Sequence, residues 1–148
     1  MRYIAGMTTQ RPYSGLIDRL KEVGLRPTRQ RLALGKLLFE TDGQPVERHV
    51  TAEQLHAEAM AQGVRVSLAT IYNTLNQFTE AGLLREVVVE PGRSYFDTNI
   101  GDHHHFFFEE SGKLVDIPGE EVQLSSVPTP PEGAKVQRVD VIIRVSDE

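Results

Sequence analysis

Residues 67–82, SLATIYNTLNQFTEAG, constrain this chain more than any other stretch. Ser67 can cap a helix by accepting a hydrogen bond from a first-turn amide, and Gly82 can close it in the left-handed conformation. Ile71, Leu75, Phe78 and Leu83 recur near the helical period and make one face apolar. The other face holds Ser67, Thr70, Tyr72, Asn73, Asn76 and Gln77, hydroxyls and amides almost without charge, where a merely solvated helix would carry Lys and Glu. Directly afterwards the apolar period falls from about 3.6 to about 2. Residues 83–90 and 93–97 read as strands, with Val87, Val88 and Val89 on one arm, Tyr95 and Phe96 on the other, and Pro91-Gly92 as the turn. Any fold of this chain must seat that helix beside that hairpin.

Three helices are expected before it. Residues 12–23 place Leu16, Ile17, Leu20 and Val23 on one face and stop at Gly24. Pro27 bars Arg26 from helical geometry, and Thr28 can then cap a helix to about Phe39 that carries Leu32, Leu34, Leu37 and Leu38. Residues 41–50 read as a loop around Gly43 and Pro45. Thr51 and Gln54 form a capping box for a helix that runs through Ala61 and ends at Gly63. Two helices joined by a short Gly-containing turn, the second polar and followed by a hairpin, make a winged helix-turn-helix pattern. A face of hydroxyls and amides suits a DNA groove, where amides read base edges and hydroxyls hold phosphates. Ser67, Thr70, Tyr72 and Asn73 are the candidate contacts on that helix.

A net charge of −5 argues against nucleic acid only until it is divided along the chain. Residues 1–85 hold eleven basic and eight acidic side chains, a net of +3, whereas residues 86–148 stand at −8. Arg19, Lys21, Arg26, Arg29, Arg31 and Lys36 face Glu22 alone within residues 19–36. A local basic cluster thus precedes the helical motif. The absence of cysteine excludes disulfides, thiolate zinc sites and cysteine-ligated haem. No apolar run is long enough to span a bilayer, and residues 1–15 are too polar and too broken by Gly and Pro for a secretory signal. The expectation is a cytoplasmic protein without membrane contact.

The sequence divides into a winged-helix domain at residues 1–98, its first eleven residues a loose arm, a hinge at 99–102, and a second domain at 103–148. In the latter, strands are expected at 103–109, 113–117 and 135–145, with a proline-rich connector at 125–133. The fold class is α+β: an N-terminal winged helix-turn-helix followed by a small α/β dimerisation domain with a three-stranded sheet. About 45 residues bury too little apolar surface to stand alone, so a homodimer completed by a second copy is expected. His103, His104 and His105 hold three of the five histidines. Along a strand His103 and His105 share one face and His104 takes the other, so His-x-His is a competent metal half-site. His49, Glu90 and Asp116 are candidates for the remaining ligands, and such a His and carboxylate set suits iron, manganese or zinc. A cluster of exposed histidines is the plainer alternative. With no nucleophile-and-base pair, phosphate loop or His-Glu-x-x-His, an enzyme is not expected.

Together GLRPTRQR, HVTAEQLH, SLATIYNTLNQFTEAGLL, EPGRSYFD and HHHFF with GKLVD resemble the ferric uptake regulator superfamily, over roughly residues 16–145. Within it, the HHH run, the proline-rich connector and the terminal RVDVIIRV resemble the iron response regulator branch. The resemblance implies a repressor-type transcriptional regulator of iron and haem homeostasis. It also implies an AT-rich inverted-repeat operator in double-stranded DNA, contacted through Arg26, Arg31 and Tyr72. It implies one regulatory divalent-metal site per chain, held by His49, Glu90, His103, His105 and Asp116. It further implies haem as a regulatory ligand at His103, His104 and His105, with a plain iron, manganese or zinc sensor as the alternative. The family's cysteine-based zinc site has no counterpart here. A further metal site found in many members is also incomplete, because Asp102 and His104 hold its flanking positions but Val139 stands where its late histidine would be.

Overall fold

The computed structural model of the chain describes residues 14–148. The loose arm and the expected helix start at Pro12 lie outside them. The described chain divides into two compact units, the first ending at Ile100 and the second spanning Gly101–Glu148.

In the first unit the helices are α1 (Ser14–Glu22), α2 (Arg29–Phe39), α3 (Ala52–Ala61) and α4 (Leu68–Glu80). Their starts follow from the caps. Thr28 accepts from the Arg31 amide at 3.2 Å, and Ser67 from the Thr70 amide at 3.1 Å. Thr51 accepts from the Gln54 amide at 3.1 Å while the Gln54 carboxamide oxygen accepts from the Thr51 amide at 2.9 Å, completing the capping box. Gly63 and Gly82 stop α3 and α4 at positive φ (78° and 86°), a conformation that costs other residues strain. Thr51→Ala is expected to lower the stability of this unit by about 1 kcal/mol, read from a urea melt, because the Gln54 amide in the first turn loses its partner.

Residues 41–50 are not the plain loop expected. β1 (Glu40–Thr41) and β2 (Gln44–Pro45) form a small hairpin, and β3 (His49–Val50) joins the wing. The wing itself is β4 (Arg85–Glu90) against β5 (Arg93–Asp97), giving an antiparallel sheet in the order β3-β5-β4. Val87 and Val89 turn inward while Val88, between them, is 56% exposed, as the alternation of a half-buried strand requires. The unit's core is Leu20, Leu34, Leu38, Leu55, Ile71, Leu75 and Phe78, each fully buried, closed by Val50, Leu84 and Phe96 from the sheet side. Gly35 allows α1 and α2 to meet closely: a Cβ there would lie 2.9 Å from a Leu16 methyl.

The second unit is a three-stranded sheet in the order β7-β6-β8, from β6 (His103–Phe108), β7 (Leu114–Pro118) and β8 (Ile142–Val145). β6 pairs antiparallel with β7 and parallel with β8. Its helical content is a single 3₁₀ turn, Gly119–Glu121. The third strand is shorter than the 135–145 expected. The Val141 amide donates to His104 Nδ1 at 3.1 Å instead of entering a ladder, and Val136 and Val139 are exposed without a strand beside them. An apolar, β-branched composition raises strand propensity, but a strand also needs a partner for its amides.

Candidate metal centre and nucleic-acid interface

In the second unit, the pleat of β6 turns His103 and His105 to one face and His104 to the other. β7 adds a carboxylate to the first face, because His105 stands opposite Asp116 in the antiparallel register. Asp116 Oδ1 lies 3.3 Å from His105 Nε2 and 3.9 Å from His103 Nε2, and the two rings are 4.6 Å apart. Metal bonds of 2.0–2.2 Å put ligand atoms about 3.4 Å apart around a tetrahedral ion, so these spacings fit a divalent cation.

The tautomer also fits. His103 Nδ1 donates to the Gly101 carbonyl at 2.7 Å, and a carbonyl only accepts, so in the neutral ring the lone pair sits on Nε2 beside Asp116. The exposed-histidine alternative fails: His103, His104 and His105 are 3%, 6% and 2% exposed. His104 is a structural tie. Its Nδ1 accepts the Val141 amide and so joins β6 to the segment leading into β8.

In the first unit His49 stands opposite Asp97 across β3 and β5, and Arg85 stands opposite Asp97 on the other side, so one row crosses the sheet. Asp97 is 1% exposed and accepts from the Asn99 amide at 2.9 Å. Glu90 is elsewhere. It sits at the tip of the hairpin, paired in register with Arg93 and 3.2 Å from that guanidinium. Five residues of strand separate it from the Arg85–Asp97–His49 row, roughly 16 Å at the usual rise. The structure therefore does not bring Glu90 to His49. The carboxylate that stands beside His49 is Asp97, which the sequence reading passed over. The signal was available, since Asp97 closes the hairpin at its base while Glu90 borders the turn. Arg48, next to His49, anchors this strand. Its guanidinium donates to both Glu58 carboxylate oxygens, at 2.9 and 2.6 Å, and to the Leu37 carbonyl at 3.2 Å.

On α4 the expected polar face is outward: Ser67, Tyr72, Asn73, Asn76 and Gln77 are exposed and Thr70 half-buried. The six proposed DNA contacts differ in what already occupies them. Ser67 and Thr70 serve the cap, the Ser67 hydroxyl donating to Thr70 Oγ1 at 3.0 Å. Tyr72 donates to Glu53 Oε2 at 3.0 Å, and that hydrogen bond first, with partial burial and the repulsion of the same carboxylate, raises its phenol above the usual range. Arg31 donates to Gln77 Oε1 at 3.0 Å and to the Arg26 carbonyl at 2.9 Å. Arg26 and Asn73 are exposed. Between α3, α4 and the wing lies an open groove of ≈ 480 Å³ whose lining includes Glu53, Tyr72, Asn76, Arg93 and Phe96. The geometry offers hydrogen bonding and positive charge at an exposed helix face, with two carboxylates, Glu53 and Glu86, on the groove that Tyr72 lines.

Residues 22–144 match the ferric uptake regulator family. The chain is 34% identical over 108 residues to the ferric uptake regulation protein of Neisseria meningitidis serogroup A, covering 72% of each chain. It is 33% identical over 105 residues to the protein of that name from Escherichia coli K12, covering 70% of this chain and 68% of the relative. Among solved structures, the ferric uptake regulator of Pseudomonas aeruginosa with manganese is similar in fold. Its TM-score is 0.66 at 23% identity, over 88% of this chain and 96% of that one.

Proposed function

The chain belongs to the ferric uptake regulator family, and from that premise we propose that it is a dimeric, metal-responsive regulator of transcription that acts on double-stranded DNA in the cytoplasm to control iron homeostasis. The observation that carries the metal response is the pair of buried imidazoles His103 and His105 beside the exposed carboxylate of Asp116, with ligand atoms at metal spacing. In the DNA-binding unit we assign to metal binding His49 and, in place of Glu90, Asp97, which stands opposite it in register. Two imidazole nitrogens with carboxylate oxygens suit manganese, iron or zinc. The bound cation supplies charge that the ligands share, and it stabilises whichever arrangement of the chain binds it more tightly. Assembly rests on the second unit, whose edge strand β8 leaves Ile143 39% exposed and is led into by exposed Val136 and Val139.

Haem sensing in the manner of the iron response branch is the second reading, supported by three adjacent imidazoles. Against it, all three rings are buried, and His104 Nδ1 is held by the Val141 amide. Haem iron would have to displace that amide, or take an imidazole from the metal face. Separate titrations with Mn(II), Fe(II), Zn(II) and haem, each followed by a gel shift on an AT-rich inverted repeat, decide between the two. Stoichiometric haem uptake that vanishes when His103, His104 and His105 are all changed to Ala would favour haem. Within the metal reading, Asp97→Asn is expected to lower metal-dependent operator affinity at least about tenfold, while Glu90→Ala leaves it within about twofold. The reverse result would return the assignment to Glu90.

A further inference from the structure

Resting on the DNA-binding reading, we infer that Arg29 and Arg65 form a clamp for the DNA backbone beside α4, and that Arg31 positions α4 without touching phosphate. The described arginines sort by what their guanidinium groups already hold. Arg19 lies over the Phe39 ring, Arg31 bonds Gln77, and Arg48, Arg93, Arg138 and Arg144 pair with carboxylates. Arg85 is buried and engaged. Arg26, Arg29 and Arg65 are exposed, with no side-chain partner among the described residues, and all three belong to the helix-turn-helix region.

Arg29 and Arg65 also line one open groove of ≈ 370 Å³, together with Gln30 and Val64 and with no acidic residue. Two like charges on one groove repel each other unless an anion lies between them. The placement of Arg65 is built in. Val64 and Val66 pack against the core, so alternation along this extended turn drives Arg65 outward. The turn is held at both ends: the Val64 amide donates to the Ala59 carbonyl at 2.8 Å, and His56 Nε2 donates to the Val66 carbonyl at 3.0 Å. Arg29 is equally fixed, as the first residue of α2 after the Thr28 cap, in a first turn without an acidic residue. Arg65, two residues ahead of the Ser67 cap, and Arg29 on the same groove present two forked cations near the start of α4, suited to the phosphates that flank the bases read by that helix.

Arg31 differs. Its fork spans the Arg26 carbonyl and the Gln77 carboxamide, joining the turn before α2 to the last turn of α4. Lysine cannot reproduce that two-pronged bridge, whereas at a phosphate contact lysine serves as a point charge.

The test is fluorescence anisotropy of the full-length chain, loaded with Mn(II), on an operator duplex and a scrambled duplex between 50 and 200 mM salt. The double variant Arg29→Ala, Arg65→Ala is expected to flatten the log-affinity against log-salt slope by about 1.8 per protomer, close to 0.9 for each lost phosphate, and to weaken both duplexes alike. Arg29→Lys with Arg65→Lys is expected to restore most of the slope. Arg31→Lys is expected to lose operator affinity severalfold with the wild-type slope. An unchanged slope in the double alanine variant overturns the clamp. Full operator affinity in Arg31→Lys overturns the positioning role. If the wild-type chain shows no salt-dependent DNA affinity, the DNA-binding reading falls and the clamp falls with it.

Discussion

Replacing His105 with alanine is expected to lower divalent-metal affinity by about two orders of magnitude or more, since losing even an outer partner of a metal ligand costs 10–100-fold. The ring is 2% exposed, stands opposite Asp116 in register, and offers Nε2 at 3.3 Å from that carboxylate. On the proposed assignment, its removal would delete a ligand and leave Asp116 without its neighbouring donor. Asp116→Asn should give a smaller loss, because the amide oxygen can still coordinate without a negative charge. His104→Ala should leave metal affinity within a few-fold of the parent, while freeing the Val141 amide and loosening the segment before β8. Calorimetric titration with Mn(II) or Zn(II), beside a thermal melt of each variant, reads both effects. Equal stoichiometry and affinity in His105→Ala and the parent would place the metal elsewhere.

Phe78→Ala is expected to destabilise the DNA-binding unit by about 3–5 kcal/mol, a large share of the about 5–15 kcal/mol that holds a domain of ordinary size. Phe78 is fully buried on the inner face of α4 and stacks on Phe39 of α2, with ring centroids 6.1 Å apart. Its carbonyl also accepts the Leu83 amide at 2.9 Å as the helix gives way to the wing. The cavity left by the ring would remove a packing contact that holds α4 to α2, so DNA binding should fall along with stability. Met60→Ala, at a side chain 53% exposed, should change stability by no more than about 0.5 kcal/mol and serves as the control. Urea unfolding with an unchanged slope measures the difference, and a cost for Phe78→Ala below about 1 kcal/mol would mean the core does not depend on it.

The helices of the first unit were legible because their signals act over three or four residues. Thr51 finds Gln54, Ser67 finds Thr70 and Thr28 finds the Arg31 amide within one turn, whatever the rest of the chain does. The stops at Gly63 and Gly82 are equally local. The wing could be read from its turn and alternation, and His103 and His105 from the two-residue period of a strand. The short strands before α3 could not be read, because two-residue ladders carry no period of their own. The shortened β8 could not either, because its limit is set by His104, 37 residues away, taking the Val141 amide.

By itself, then, the sequence determined the order of the helices and the wing, the α+β class, the polar face of α4 and the pairing of two imidazoles on one strand face. These follow from caps, periods and backbone preferences that each segment carries alone. Only the tertiary structure decided which side chains remain available. It placed Asp97 beside His49 and sent Glu90 to the tip of the wing, because strand register sets which residues face each other. It buried all three histidines of the run and turned His104 into a tie. It joined Arg31 to Gln77 across 46 residues and left Arg29 and Arg65 facing solvent on one groove. A guanidinium reads the same in any sequence. Whether it holds a helix or awaits a phosphate depends on partners brought near by packing, and those distances are properties of the folded chain.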